Sequence, residues 1–348
     1  MRIGIDARLI DAFGIGSYVR GLLSGLASLE GGEEYVVFVP SHARGRIPKE
    51  FETIVADVPP YTIRELVQMA RIAGRARLDL FHVPHFLVPW TSCRIVTTLF
   101  DAIPFHYPLP NPVAGPYIAW MMQNAADRAQ RILTISHAAK RDLLGALDVP
   151  PEKIAVAHIG LEEMFFRESV EPPVERRPYF VFSGKAARHK NLETLLEALA
   201  IARRSDPSLR LVLAGRDHER FRARDGVDVP GFLSEEELLA LYRGALAVVM
   251  PSFMEGFGLP PLEGMALGTP AITSTADALV EVTGDAALHV DPRSASDLAD
   301  ALLRIAHDPA LRADLSARGR IHARSFTWRR CAEETRNVYR AAVRQSHS

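Results

Sequence analysis

The sequence of 348 residues is poor in cysteine and has no long apolar run. Only Cys93 and Cys331 are present, so the chain has no cysteine set for zinc and at most one disulfide, which is typical of a reducing compartment. No apolar stretch approaches the ~18 residues of a membrane-spanning helix, and Asp6 interrupts the first apolar segment, unlike the core of a signal peptide. These absences predict a cytoplasmic protein that does not cross a membrane.

An excess of charge of one sign is also missing. The 41 lysine and arginine residues are balanced by 42 aspartate and glutamate residues, for a net charge of -1. Proteins that bind polynucleotides usually carry a basic excess, so the balance argues against a nucleic-acid partner. With 48% apolar and 24% charged residues, the composition is that of a compact globular protein, and the length is sufficient for two domains.

Short apolar segments alternate with helical patterns along the chain, which predicts α/β domains with parallel sheets. A first series of predicted strands covers residues 3–5, 35–39, 80–83, 95–99 and 132–135, and a second covers 179–182, 209–214, 247–250 and 271–273. Three prolines in residues 171–178 disfavour a helix or a central strand and predict a linker there. The linker separates a first domain, 1–170, from a second, 179–325. Ligands of such sheets bind at the carboxyl ends of the strands.

Residues 251–268 follow the strand at 247–250 and have the pattern of a glycine-containing turn and a helix. Gly256 and Gly258 allow the backbone to approach a ligand, and two prolines suit the first turn of a helix whose free N–H groups bind hydroxyl or phosphate oxygens. Glu255 lies in the turn and Glu263 in the helix, a separation that argues against a hydrolase with paired carboxylates. By itself, the pattern also fits a capped helix with two ordinary glutamates.

The loop from Ser183 to Asn191 places Arg188 and Lys190 just before another predicted helix. A guanidinium, an ammonium and a helix N-terminus suit a diphosphate, and Lys185 is a weaker third cation. By itself, this loop also fits a solvated basic surface.

Together these segments resemble the retaining glycosyltransferases of family 4. Glu255, seven residues and Glu263 are similar to the EX7E motif of that family, and the similarity extends, in order, to residues 14–18, 183–191 and 268–270. The resemblance implies the GT-B fold: two Rossmann-like domains that face a central cleft, the first binding the acceptor and the second the nucleotide sugar. It also implies that residues 326–348 form a helix that crosses back to the first domain, with Trp328 at the crossing.

The resemblance assigns roles to individual residues. Glu255 contacts hydroxyls of the transferred sugar, Glu263 holds the ribose, and Arg188 and Lys190 neutralise the leaving diphosphate in place of a divalent metal. The implied catalytic residues are thus Glu255, Arg188 and Lys190, with no metal and no other cofactor. The implied donor-binding set also contains Gly14, Ile15, Gly16, Gly184, Lys185, Gly256, Phe257, Gly258, Leu259 and Glu263.

Two segments that follow predicted strands of the first domain are expected in the cleft, where they would contact the acceptor or the donor sugar. They supply His82, His85, Phe100, Asp101 and His106. Relatives often have histidine where this chain has Phe100, and phenylalanine cannot make the hydrogen bond of that histidine to a donor-sugar hydroxyl. Asp101, His82 or His106 then compensates, or the donor lacks the hydroxyl, as a 6-deoxysugar does.

The implied function is the retaining transfer of a sugar from a nucleotide diphosphate to a glycan or lipid-linked glycan in polysaccharide biosynthesis. The motifs are most similar to those of bacterial polysaccharide mannosyltransferases, which favours GDP-mannose as donor. A nucleotide-sugar epimerase or a phosphorylase of the same fold, and a non-catalytic sugar-nucleotide-binding protein, remain alternatives. The basic amphipathic pattern of residues 61–77 leaves open peripheral contact with the inner face of the membrane, and the oligomeric state is open.

Overall fold

The structure is a computed structural model that describes residues 1–107, 114–167 and 178–344. The chain divides into two compact units: unit 1 comprises Met1–Gly160 and the segment from Phe326 onward, and unit 2 comprises Leu161–Ser325. The structural boundary thus falls earlier than the sequence-based boundary at residue 170. Residues 171–177 of the expected linker lie outside the described residues.

Each unit is built around a parallel sheet. The strands of unit 1 are β1 (Arg2–Asp6), β2 (Glu34–Val39), β3 (Glu52–Val55), β4 (Leu80–Val83), β5 (Arg94–Thr98), β6 (Arg131–Thr134) and β7 (Ile154–Val156). Those of unit 2 are β8 (Tyr179–Ser183), β9 (Arg210–Ala214), β10 (Val227–Gly231), β11 (Ala247–Met250), β12 (Ala271–Ser274) and β13 (Leu288–Val290). The strand orders are β3-β2-β1-β4-β5-β6-β7 and β10-β9-β8-β11-β12-β13, all pairs being parallel.

Both orders are those of a doubly wound sheet, in which the direction of winding reverses beside the first strand. The reversal lies between β1 and β4 in unit 1 and between β8 and β11 in unit 2. The fold class of two Rossmann-like α/β units is therefore confirmed. All nine expected strands are found to within one residue at either end, whereas β3, β7, β10 and β13 were not predicted.

Helices cover the sheets, whose strands are therefore apolar on both faces. In chain order the helices are α1 (Ile15–Ala27), α2 (Ile63–Arg75), α3 (Ile103–His106), α4 (Ala114–Arg128), α5 (His137–Ala146), α6 (Leu192–Ser205), α7 (Glu235–Gly244), α8 (Leu259–Leu267), α9 (Asp277–Thr283), α10 (Ala295–His307), α11 (Pro309–Ala323) and α12 (Trp328–Arg344). Ser234 and Glu237 form a capping box at the start of α7. Among the described residues, no helix combines the length and the apolar character needed to cross a bilayer.

Helix α12 follows unit 2 in sequence and packs within unit 1 against α1. The contact is close because α1 presents glycine to it: a Cβ at Gly21 would collide with the Trp328 ring, and one at Gly25 with the Trp328 carbonyl. Trp328 therefore lies at the contact between α12 and α1 within unit 1.

Candidate active site

The expected donor-binding residues of unit 2 lie on two loops, residues 184–191 after β8 and 251–258 after β11. These strands are hydrogen-bonded neighbours at the point where the winding reverses, so both loops leave the same edge of the sheet. In open α/β sheets, ligands bind outside the carboxyl ends of the strands at this point. The loops therefore occupy the position where this topology favours a ligand.

The loop after β11 turns into α8 as the sequence predicts. Gly258 has a left-handed backbone (φ 108), which favours glycine, and a Cβ there would displace Leu279 Cδ2, 2.5 Å away. Two prolines open α8, and Gly268, again left-handed (φ 83), ends it. Because the two prolines have no N–H, the start of α8 offers the backbone N–H groups of Gly258 and Leu259 at the carboxyl edge of the sheet.

An ion pair joins the two loops. Lys190 Nζ lies 2.7 Å from Glu255 Oε1 and 2.8 Å from Oε2, and Ser252 Oγ donates to Oε1 at 2.6 Å. The Glu255 side chain is only 7% exposed and that of Lys190 18%, so both are largely withdrawn from water. Two donors thus hold the Glu255 carboxylate in one orientation.

Backbone contacts fix the same two loops relative to each other. Phe253 N donates to His189 O at 2.8 Å. Asn191, in the left-handed region (φ 58) before α6, donates through Nδ2 to Pro251 O at 2.9 Å and to Pro292 O at 2.6 Å. The geometry of Lys190 and Glu255 is therefore set by the frame of the unit as well as by their own attraction.

The other cations of the first loop are more exposed. Arg188 is exposed, and within the described part of the chain no acidic side chain pairs with it. Lys185 Nζ lies 3.5 Å from Asp217 Oδ2, and both side chains are mostly in water, where such pairs contribute little. Gly184, which precedes Lys185, is fixed by His218, whose Nε2–H donates to its carbonyl oxygen at 2.8 Å. Arg188 is therefore available to an anion.

Glu263 lies in α8, where Tyr242 of α7 donates a hydrogen bond to its Oε2 at 3.1 Å. Burial raises the pKa of Glu263 to about 7; the hydrogen bond from Tyr242 opposes the rise, and the negative charge of Glu162 adds to it. A carboxyl group with this pKa is an acceptor for hydroxyl groups above neutral pH and becomes protonated below it. The loops and α8 thus combine cations, free N–H groups and two carboxylates.

The remaining predicted residues belong to unit 1. Gly14 has a positive φ (78) immediately before α1, and a Cβ at Gly16 would collide with the Ile10 carbonyl oxygen, so the segment around Ile15 requires its two glycines. Asp101 Oδ1 accepts from Ile103 N at 3.0 Å at the start of α3, which ends at the exposed His106.

Phe100 is partly exposed. Its ring meets that of Tyr18 edge to face, with centroids 5.1 Å apart. Both residues belong to unit 1, so the aromatic side chain has a packing partner within its own unit.

The structure corrects the prediction for His82. It lies within β4 rather than after it and is fully buried. Its Nδ1 is 2.7 Å from Tyr339 Oη and its Nε2 2.8 Å from Thr98 Oγ1, and burial lowers its pKa to about 3. His82 is therefore a neutral core residue that joins β4, β5 and α12, and it does not face a ligand.

His85 is also buried, in a cluster of charged groups at the winding reversal of unit 1. Arg8 Nε donates to Asp6 Oδ1 at 2.9 Å and Nη2 to Asp6 Oδ2 at 2.6 Å, and Arg8 also pairs with Glu65 of α2. His85 Nε2 lies 3.4 Å from Glu65 Oε1 and 3.5 Å from Asp6 Oδ2. The expected role of His85 in ligand contact is therefore not supported, because its polar edge faces this internal ion pair.

Sequence reasoning missed Ser252 and Tyr242. Ser252 stands inside the segment that carries Glu255, but a serine after a strand has no distinctive pattern. Tyr242 lies at helical spacing from the apolar residues of α7, and a tyrosine at such a position is ordinarily a core residue. Only the folded chain shows that each touches a predicted glutamate.

Comparisons with known proteins agree with this arrangement. A family model described as Glycosyltransferase Family 4 matches residues 14–163, and one described as Glycosyl transferases group 1 matches residues 165–322. The chain is 29% identical to O-antigen chain mannosyltransferase B of Escherichia coli over 287 residues, which is 75% of this chain and 74% of that protein. It is 30% identical to O-antigen chain mannosyltransferase RfbU of Salmonella typhimurium over 60% of this chain and 59% of that protein.

Among solved structures, sucrose-phosphate synthase (tll1590) from Thermosynechococcus elongatus superposes with a TM-score of 0.78 at 23% identity. The match covers 99% of this chain and 100% of that one. At this identity the likeness supports the fold alone.

Proposed function

The chain belongs to glycosyltransferase family 4 and has the GT-B fold, and from that membership we propose that it transfers mannose from GDP-mannose to a glycan or lipid-linked glycan. The proposed reaction requires no metal ion and retains the anomeric configuration of the sugar. Two relatives are O-antigen chain mannosyltransferases, which supports the choice of sugar and of a polysaccharide acceptor.

The observation that carries the proposal is the Lys190–Glu255 pair at the winding reversal of unit 2. A carboxylate held by Lys190 and Ser252 is oriented to accept hydrogen bonds from sugar hydroxyls. The Lys190 ammonium has a third N–H for a phosphate oxygen, and the exposed Arg188 guanidinium can bind phosphate through two N–H groups. One small region therefore supplies partners for both halves of a sugar diphosphate.

The same groups suit the chemistry of the proposed step. Negative charge grows on the diphosphate as the bond to the sugar breaks, and fixed cations and helix N-termini stabilise such charge without reorganising. Arg188 and Lys190 would thus take the place of a divalent metal. In the mechanism usual for the family, a phosphate oxygen of the leaving group takes the acceptor proton on the same face of the sugar, which gives retention.

A transfer assay tests the proposal directly. We expect the purified protein to release GDP from GDP-mannose when a lipid-linked glycan acceptor is present, equally with and without EDTA, and to form an α-linked product by NMR. Arg188→Ala should lower the rate by about tenfold or more, as loss of a charge-assisted hydrogen bond predicts. Arg204→Ala is the matched control, because it removes an equally exposed arginine at the far end of α6.

The outcomes separate the proposal from its alternatives. Conversion of the sugar nucleotide without an acceptor would indicate an epimerase, and a requirement for inorganic phosphate would indicate a phosphorylase. Binding without any turnover would indicate a sugar-nucleotide-binding protein. Loss of activity in EDTA that returns with Mg²⁺ would contradict the metal-free mechanism.

We also propose that α2 docks unit 1 on an anionic phospholipid surface, where a lipid-linked acceptor would be met. Arg64, Arg71 and Arg75 are exposed on this helix, and no acidic side chain of the described residues pairs with them. Ile63, on the same helix, is 77% exposed. Trp90 is 60% exposed, and its backbone N–H donates to Leu66 O of α2. Arginines beside exposed apolar groups suit the interface of an anionic bilayer.

Vesicle co-sedimentation tests this surface. We expect binding to phosphatidylglycerol vesicles that weakens with salt and is lost in a triple variant, Arg64→Gln, Arg71→Gln and Arg75→Gln. The control changes three exposed arginines elsewhere, Arg204→Gln, Arg293→Gln and Arg324→Gln, and so has the same net charge. Equal binding by the two triple variants would refute the docking surface.

A further inference from the structure

The contact between Tyr242 and Glu263 has a feature that neither the motif nor the family assignment explains. The Tyr242 ring is fully buried, yet its hydroxyl donates to Glu263 Oε2 at 3.1 Å. Within the described part of the chain, Tyr242 is the one side chain that donates to this carboxylate. A protein donor thus takes one oxygen of Glu263 and leaves Oε1 for a ligand.

The chain holds Tyr242 firmly. The last turn of α7 is anchored by Tyr179, whose hydroxyl donates to Leu241 O at 2.9 Å. Thr269 Oγ1 donates to the Tyr242 carbonyl at 2.7 Å, and Ala245 N donates to the same oxygen at 3.1 Å. Thr269 lies two residues beyond the end of α8, and its N–H donates to Gly264 O of that helix at 2.8 Å. Thr269 therefore links the helix that carries Tyr242 to the helix that carries Glu263.

Tyr242 also faces the first loop. Burial and the negative charge of Glu263 raise the pKa of Tyr242, and an interaction of its hydroxyl with the Ser183 side chain, at the end of β8, opposes that rise. Ser183 directly precedes Gly184 and Lys185 of the loop after β8. One buried hydroxyl therefore lies between the start of that loop and the carboxylate of α8.

We propose that Tyr242 is a positioning residue of the nucleotide site: its hydroxyl orients Glu263 and keeps the carboxylate ionised, so that Oε1 accepts a hydrogen bond from a ribose hydroxyl. This inference rests on the proposed function, since it needs a nucleotide at Glu263. It assigns no contact between Tyr242 and the ligand. Its consequence is that the Tyr242 hydroxyl determines the pH range in which the nucleotide binds well.

Calorimetric titration of GDP and of UDP from pH 6 to 9 tests the inference on the full chain with Tyr242→Phe, which keeps the buried ring. Two groups influence the ionisation of Glu263: Tyr242 on α7 and Glu162, near the start of unit 2. The variant changes only Tyr242. Without the donor, Glu263 should hold its proton to higher pH. We expect the pH below which affinity falls to rise by about one to two units, with affinity restored near pH 9.

A matched control variant separates a positioning role of Tyr242 from a general effect on α7. Tyr179→Phe removes another hydroxyl that anchors α7 but does not touch Glu263, and it should leave the pH profile in place. If Tyr242→Phe weakens binding equally at every pH, or not at all, while Glu263→Ala weakens it, the positioning role is refuted and the nucleotide site stands. If neither nucleotide binds, or Glu263→Ala binds as well as the unmodified chain, the proposed site itself is refuted, and the inference with it.

Discussion

The two units reverse their winding in the same way but use the reversal differently. In unit 1, the carboxyl ends of β1 and β4 meet at Asp6, Arg8 and His85, and Glu65 completes a cluster in which the Arg8 and Glu65 side chains are at most 1% exposed. In unit 2, the ends of β8 and β11 meet at Lys190 and Glu255, beside the exposed Arg188. Topology favours a ligand at both places.

The difference lies in which hydrogen-bonding positions remain open. Arg8 uses Nε and both terminal nitrogens on Asp6, Glu65 and the Val58 carbonyl, so the chain itself occupies every nitrogen of this cation. Of the groups in this cluster, His85 Nε2 is buried without a hydrogen-bond partner among the described residues. Burial alone would raise the pKa of Asp6, but the Arg8 guanidinium holds it well below its ordinary value. A charged cluster after a strand is therefore a binding site only where its donors and acceptors are not already used.

The largest effect should come from removing Arg8 from the buried charged cluster of unit 1, which contains Asp6, Glu65 and His85. Arg8→Met leaves two buried carboxylates without a cation, and we expect it to lower the free energy of unfolding by about 3–5 kcal/mol. The same change at the open site, Arg188→Met, should cost less than about 0.5 kcal/mol, as exposed substitutions do. Urea unfolding measures both. Similar losses of unfolding free energy in the two variants would show that the reversal of unit 1 and that of unit 2 do not differ in this respect.

At the winding reversal of unit 2, by contrast, a substitution should lower the rate of catalysis. Glu255→Gln keeps the shape of the side chain but removes the charge that Lys190 and Ser252 orient, and we expect turnover to fall by about 100- to 1000-fold. Affinity for free GDP, which lacks the sugar, should change by less than about threefold. Steady-state kinetics and titration separate the two quantities. Equal and small changes in both would contradict the assignment of Glu255 to the sugar.

The sequence predicted the interior of both sheets but not their edges. The four strands that it missed, β3, β7, β10 and β13, are the edge strands. An edge strand has a neighbour on one side only. Of the four, β3 and β10 contain a carboxylate, and β10 also contains Pro230, whereas β7 and β13 have only three residues each. Apolar periodicity is therefore weakest where burial is least complete, and this limits any prediction made from the pattern alone.

The open site was predictable to the extent that its parts are local. Gly258, the two prolines and Gly268 specify a turn and a short helix over a few residues, and the structure has both. His82 and His85 failed because their surroundings are assembled from distant segments: Tyr339 and Glu65 are remote in the chain. A histidine after a strand has the same local pattern whether it faces solvent or a buried ion pair.

A smaller effect concerns how the stability contributed by a buried carboxyl group depends on pH in each unit. Burial raises the pKa of Glu263 from 4.5 to about 7, so between these values the folded chain binds a proton that the unfolded chain does not. The stability contributed by this group is present below pH 4.5 and is lost as the pH rises to 7. Glu263→Gln should therefore have little effect at pH 4.5 and should stabilise by up to about 3 kcal/mol at pH 8.

Urea unfolding at the two pH values checks this, with Glu236→Gln, an exposed residue of α7, as the control. A Glu263→Gln variant that gains no stability on going to pH 8 would show that Glu263 is already well solvated or paired. Asp6 of unit 1 should show no comparable change near neutral pH, because the Arg8 guanidinium holds the pKa of this carboxyl well below its ordinary value.

The smallest expected effect concerns Phe100, the one predicted cleft residue whose side chain departs from the family pattern. Its ring packs edge to face on Tyr18, so Phe100→His can be accommodated beside the same partner. A histidine would supply one hydrogen bond to a donor-sugar hydroxyl, and we expect kcat/KM for GDP-mannose to rise about three- to tenfold relative to a 6-deoxysugar donor such as GDP-rhamnose. Competition between the two donors measures the ratio. An unchanged ratio would mean that Phe100 does not face the sugar, and that unit 1 contributes packing at this position, as it does at His82 and His85.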